Sequence, residues 1–171
     1  DHEVQGRTVQ GPFAGKHQGP QDAAVILPRL DSNKGAVVAI GFNPLHADLD
    51  AYRMAANSID EAVRNVVAVG GDPDRLSLLD NFIWGDVSDA EELGKLVEAT
   101  IACHDLALDF EAPFISGKDS LNNTYVGADQ KKVSITPTLI VSALTLMDDA
   151  NKAVSIDFKE AGSTLYLVGR T

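Results

Sequence analysis

Five short stretches of the 171-residue chain hold side chains whose type and spacing could carry chemistry. In FISGKDSLNN (114–123) a Gly-Lys pair follows an apolar run. A Walker-type phosphate loop needs a glycine five residues before Gly117, for close backbone approach, and a hydroxyl directly after the lysine, for magnesium. Ala112 and Asp119 occupy those positions, and Asp119 would set a negative charge beside the phosphates. Lys118, Asp119 and Ser120, on a loop after a short strand, could hold phosphate only with help from a metal ion or another segment. The alternative is a strand-to-turn junction with polar punctuation.

Glu61 and Asn65 stand four residues apart in a helical pattern and so share one face, together with Asn57. A carboxylate and an amide oxygen one turn apart suit magnesium, which takes hard oxygen ligands. A solvated helix face is the other reading. Asp60 and Arg64 are an i,i+4 ion pair. Asp22, after Gly19-Pro20, sits at the mouth of the first strand, as a metal ligand or a turn residue. Asp80 and Asn81 interrupt an apolar strand, where β-propensity disfavours both and an unpaired polar group costs free energy. Lys16 and His17, in a Gly-rich stretch, are the weakest signal.

Composition narrows the chemistry. The chain is 44% hydrophobic and has a net charge of −11, from 14 basic and 25 acidic residues. Counterion release from a nucleic acid requires a basic patch, so no nucleic acid is expected as partner. A nucleotide is compatible, because magnesium can lie between phosphates and carboxylates. No apolar run approaches a bilayer-spanning length and the N-terminus shows no signal-peptide pattern, so no membrane partner is expected. The single Cys103 excludes an internal disulfide framework, fits a reducing, cytoplasmic setting and, in a helical pattern, reads as a buried structural thiol.

The elements that must position these residues follow from periodicity. Residues 1–21 read as an extended linker, and 22–27 and 36–42 as two antiparallel strands around a turn. The clearest helix covers about 50–69, capped by Asp50, stopped by Gly70-Gly71, and facing a sheet with Ile59, Ala62, Val63 and Val66. A strand follows at 75–84, then a helix at 88–110 with Ser88 and Glu91 as a capping box. APFIS (112–116) is a short strand, and 132–147 a long β-rich run whose Pro137 marks an edge or a bulge. STLYLVGR (163–170) reads as a further strand. This order predicts a mixed α/β (α+β) fold, with a sheet of the four-stranded type and two long helices on one face. The strands are apolar on both sides, which makes the other sheet face an association surface.

Taken together, GPQDAAVI, GFNP, DAYRMAANSIDEAVRNVVAVGGDP, LLDNFIWGD, PFISGKDSLNN and STLYLVG stand in the order and at the spacing of one family. Over nearly its whole length the chain resembles the synthetase subunit of phosphoribosylformylglycinamidine synthase, of the aminoimidazole-ribonucleotide-synthetase-like superfamily. The ISGKDSLNN form resembles the second of the two related halves of that protein. The resemblance implies a domain of a cytoplasmic ATP-dependent ligase of de novo purine biosynthesis. That ligase converts formylglycinamide ribonucleotide to its amidine with Mg2+, ATP and ammonia from a glutaminase subunit or domain. It implies an N-terminal-type αβ domain over 22–160, and over 161–171 the first strand of a following C-terminal αβ domain. The sheet would pair, with the other half of the polypeptide or a second copy, into a barrel-like core. It further implies Asp22, Glu61 and Asn65 as metal ligands and Lys118, Asp119 and Ser120 as nucleotide- or phosphate-binding residues. Their site in this half would be auxiliary, with Mg2+ and ATP or bound ADP, and the 171 residues alone would be inactive. Two alternatives stand beside this reading. One is a purely structural domain bracing the catalytic half. The other is a kinase-like sister synthetase, whose members lack FISGKDSLNN in this form.

Overall fold

The computed structural model describes residues 7–29 and 31–169. Along the chain lie β1 (Thr8–Gln10), β2 (Phe13–Ala14), β3 (Gly19–Pro20), β4 (Ala24–Ile26), β5 (Gly35–Phe42), α1 (Ala51–Ala68), β6 (Ser77–Ile83), α2 (Ala90–Asp109), β7 (Phe114–Ser120), β8 (Thr124–Val126), β9 (Lys132–Ser134) and β10 (Thr138–Met147). The main sheet has the order β1-β4-β5-β10-β6-β7. Its pairs are antiparallel except β6–β7, which is parallel. It is the expected mixed sheet, widened to six strands because Thr8–Gln10 adds one edge and Phe114–Ser120 the other. β2–β3 and β8–β9 form two small hairpins.

Helix α1 forms where the sequence places it. Asp50 accepts a hydrogen bond from the Arg53 N–H at 2.8 Å and caps the helix, and Gly70, at φ +94°, ends it. Its apolar stripe, with Met54 and Ala55, is buried on the sheet. The approach is close at one point. A Cβ on Gly41 would lie 2.2 Å from the Ser58 carbonyl oxygen and 2.5 Å from the Ala62 nitrogen. Only glycine lets the helix backbone rest there on β5.

Three local expectations are corrected. The cap of α2 is Asp89, not Ser88: Asp89 accepts from the Glu91 N–H at 2.8 Å, whereas the Ser88 hydroxyl donates to Asp86 at 2.6 Å. A carboxylate is a charged acceptor and also complements the helix dipole, so it displaces the weaker hydroxyl cap. The run 132–147 is broken by Pro137, which lies just outside β10 rather than at an edge or bulge within it. Lacking an N–H, it cannot join the ladder of a strand paired on both sides, and the residues before it fold back as β9. Residues 163–169 are not a strand: no edge pairs with them, and Leu165, Tyr166, Leu167 and Val168 stand exposed. A strand exists only through its ladder. Arg170 and Thr171 lie outside the described residues, as do positions 1–6 of the linker stretch and Leu30.

Both helices lie on one side of the sheet, α1 on β5 and β10, and α2 against α1. The opposite side is apolar, with Val38, Ile40 and Phe42 at 39, 53 and 49% exposure and Leu146 at 41%. Gly41→Ala is expected to lower the unfolding free energy by about 1–3 kcal/mol, the usual range for forced overpacking. Ile40→Ala, on the open face, is expected to change it by under about 1 kcal/mol. Urea denaturation of the two variants checks the contrast.

Candidate functional site

β4 covers β5 only as far as Val38, which faces Ala24. Beyond that point β5 has a bare edge, and α1 reaches over to satisfy it. Glu61 Oε2 accepts a hydrogen bond from the Phe42 N–H at 2.8 Å, and Asn65 Nδ2 donates to the Ile40 carbonyl at 3.0 Å. The two side chains thus bracket the Gly41 contact. Asp22 lies in a bend two residues before β4, outside the ladder. Glu61 and Asn65 keep one oxygen each, Oε1 and Oδ1, outside these bonds. Those are hard donors of the kind magnesium takes, so the residues fit such an ion. Among the described residues no three His, Cys, Asp or Glu side chains cluster around a cation position. An ion here would draw its further ligands from water and phosphate oxygens. Asn57 turns instead to His46, 2.9 Å away, and Asp60 pairs with Arg64 as expected.

The GKDS segment departs from the expectation of a loop. It lies inside β7, because the parallel ladder with β6 continues to the Ile83–Ser120 pair. Strand alternation then divides its three polar residues. Lys118 and Ser120, paired beside Asn81 and Ile83, belong to the open face, where the Lys118 ammonium donates to Ser120 Oγ at 2.6 Å. Asp119 falls on the helix face beside Phe82. β5 and β7 are three strand spacings apart, roughly 14 Å, so Lys118 does not adjoin Glu61 and Asn65. Lys16 and His17 lie in the β2–β3 turn, outside the main sheet.

On the helix face, Asp119 meets Asp80 in a cleft of about 450 Å³ that also touches Thr100 and Leu121. Gly117 makes room for the Asp80 carboxylate: a Cβ there would be 2.2 Å from Asp80 Oδ1. Burial, and then the Asp119 charge, push the Asp80 carboxyl above its ordinary range, against backbone hydrogen bonds that lower it. Burial, with Asp80 as the lesser cause, lifts the Cys103 thiol to about 12, which fits a structural role. Asn81 faces the other way, and its Oδ1 is buried without a partner.

Asp80 alone is conspicuous in the sequence as a carboxylate in a strand. Its pairing with Asp119, 39 positions on, is invisible there because only the parallel β6–β7 register creates it. A glycine in a strand, at Gly117, is the one local sign of close approach.

A carboxyl raised in the folded state binds its proton more tightly folded than unfolded. Its ionisation therefore lowers stability as pH rises from the ordinary carboxyl value, 3.8, through the raised folded value. Asp80→Asn is expected to remove that decline and to be more stable than the parent at neutral pH, read as denaturation midpoints across this range.

The family model of AIR synthase related protein, N-terminal domain, matches residues 20–147. The subunit PurL of phosphoribosylformylglycinamidine synthase from Thermoplasma volcanium is 34% identical over 171 residues, 99% of this chain and 22% of the relative. The subunit of the same name from Rhodopseudomonas palustris (strain BisB18) is 33% identical, over 100% of this chain and 21% of the relative. The chain thus spans about a fifth of the length of the curated relatives it matches. Among solved structures, PurLQS from Thermotoga maritima superposes with a TM-score of 0.69 at 26% identity, over 92% of this chain and 24% of the other. AaThiL complexed with AMPPCP and TMP, at 12% identity and a TM-score of 0.57, over 82% of this chain and 39% of the other, shares the fold alone. The family match takes in both helices and every strand of the main sheet from β4 onward, and the chain belongs to the AIR synthase related protein, N-terminal domain family.

Proposed function

We propose that the chain is one N-terminal αβ domain of an ATP-dependent ligase that makes formylglycinamidine ribonucleotide from formylglycinamide ribonucleotide in purine biosynthesis. The observation that carries this is the alignment of essentially the whole chain with relatives named phosphoribosylformylglycinamidine synthase subunit PurL. T. maritima PurL, of similar fold, has been solved with ATP, with ADP and with FGAR. A glutaminase subunit supplies ammonia, and an equivalent sheet, from the other half of the polypeptide or a second copy, closes the open apolar face.

In this reading Asp22, Glu61 and Asn65 hold the magnesium of a nucleotide, and Lys118 and Ser120, on the open face, meet its phosphates or the substrate, while Asp119, on the helix face, stands apart from that surface. The ion, when bound, offsets phosphate charge in a chain of net charge −11. Glu61 Oε1 and Asn65 Oδ1 supply the oxygens, while their other atoms keep the β5 edge in place. The Lys118 ammonium, steadied by Ser120, is a point charge for an anionic oxygen on the open face.

A second reading is favoured by a specific observation: the same two hydrogen bonds make Glu61 and Asn65 braces of the sheet, in a domain that supports the catalytic half. Glu61→Gln in the full-length protein separates the two. The variant keeps an acceptor for the Phe42 N–H and removes the charge. Loss of magnesium-dependent nucleotide retention at an unchanged Tm is the expected result. Retention left intact by the loss of charge would leave only the brace.

A further inference from the structure

Helix α2 is apolar on two sides. Ala99, Ala102 and Cys103 are buried in the core. On a different side, Leu93, Val97, Ile101 and Leu108 are 46, 51, 49 and 66% exposed. At 3.6 residues per turn these four fall within about 80° of arc and run for about 22 Å along the helix. His104 lies in the same arc. One border of the stripe is acidic, formed by Glu91, Glu98, Asp105 and Asp109. Lys95 pairs with Glu91, and Asp105 accepts a hydrogen bond from the Tyr52 hydroxyl and lies 3.0 Å from His104 Nδ1. The other border opens through Thr100 and Ala107 into a cavity of about 600 Å³ whose wall includes Phe82, Pro113 and Phe114. Gly94, beside the stripe, has nothing within 4 Å of where a Cβ would stand, so another backbone can approach closely there.

We propose that this face of α2 is a docking surface for an amphipathic helix of a separate partner subunit, one whose apolar stripe is flanked by Lys or Arg. The apolar row, at i, i+4, i+8 and i+15 and four turns long, gives the anchors of a partner helix a continuous seat. A second helix laid on the row would put large side chains over Gly94 and into the cavity mouth, and its flank would meet the acidic border. Basic residues there gain electrostatic steering and register, whereas acidic ones are repelled. A second copy docking through its own α2 is the wrong occupant, because it would set the same acidic border against this one. The half-exposed residues, interleaved with charge, have the apolar centre and polar rim of an interface between separate chains rather than the composition of a domain core.

The test uses the full-length protein and two synthetic helical peptides of about 20 residues with identical Leu/Ile stripes, one flanked by Lys and one by Glu. Binding is read by fluorescence anisotropy at two salt concentrations. The Lys peptide is expected to bind at least about tenfold tighter than the Glu peptide, with the preference shrinking at high salt. Ile101→Glu is expected to weaken the Lys peptide at least about tenfold while circular dichroism and Tm stay at parent values. Should that variant fold poorly, the exposed Glu98→Lys is expected to narrow the preference for the Lys peptide. Equal affinities, no binding of either peptide, or binding of the Lys peptide unaffected by both substitutions would overturn the proposal. So would a dimer of the full-length protein that Ile101→Glu disperses in light scattering.

Discussion

The contact between α1 and β5 at Gly41 is the constraint on which the rest of the domain depends. With no Cβ at that position, helix backbone rests almost directly on strand backbone. This depth lets Glu61 and Asn65 reach past the sheet and take up Phe42 N–H and Ile40 C=O. Those groups would otherwise be unpaired edge groups, since β4 ends short of them. Sheet edge, helix height and candidate ligand set are one arrangement. A side chain at Gly41 would raise the helix and withdraw both polar groups from the strand they hold.

The second organising fact is the single parallel pair, β6–β7, at one edge of an otherwise antiparallel sheet. Parallel strands need a crossover, which α2 provides. The register set by that crossover places Asp80 beside Gly117 and brings Asp119 to the same face, while Lys118 and Ser120 turn to the other. One short stretch therefore serves two surfaces: an acidic cleft under α2, and a cationic spot on the open sheet face. The elevated Asp80 carboxyl is the electrostatic trace of this crowding, caused first by burial and then by its neighbour's charge.

Much was legible in the sequence because it rests on local chemistry. The span of α1, with its Asp50 cap and Gly70 stop, follows from side chains that act within one turn of their own backbone. So do the two-sided apolar strands and the buried Cys103. The α2 cap is an instructive failure. Ser88 and Glu91 have the right spacing, but Asp89 is a stronger acceptor one position on, and spacing alone does not rank acceptors. The run around Pro137 shows the same limit: a proline is incompatible with a two-sided ladder, yet only the fold shows that the chain turns there, with β10 at the sheet centre.

What the sequence determined by itself is the class of chain: a mixed α/β domain with helices on one side, an acidic surface, a structural thiol and the motif order of its family. These follow from periodicity, composition and the close-range preferences of single residues. Tertiary structure alone decided which polar groups meet. Asp80 and Asp119 became neighbours through register, Lys118 and Asp119 were parted by strand alternation, and Glu61 and Asn65 were turned toward a strand edge that exists only because β4 is short. The physical reason is that register and helix height are set by the packing of the whole sheet, and a one-residue change in either moves a side chain to the opposite face.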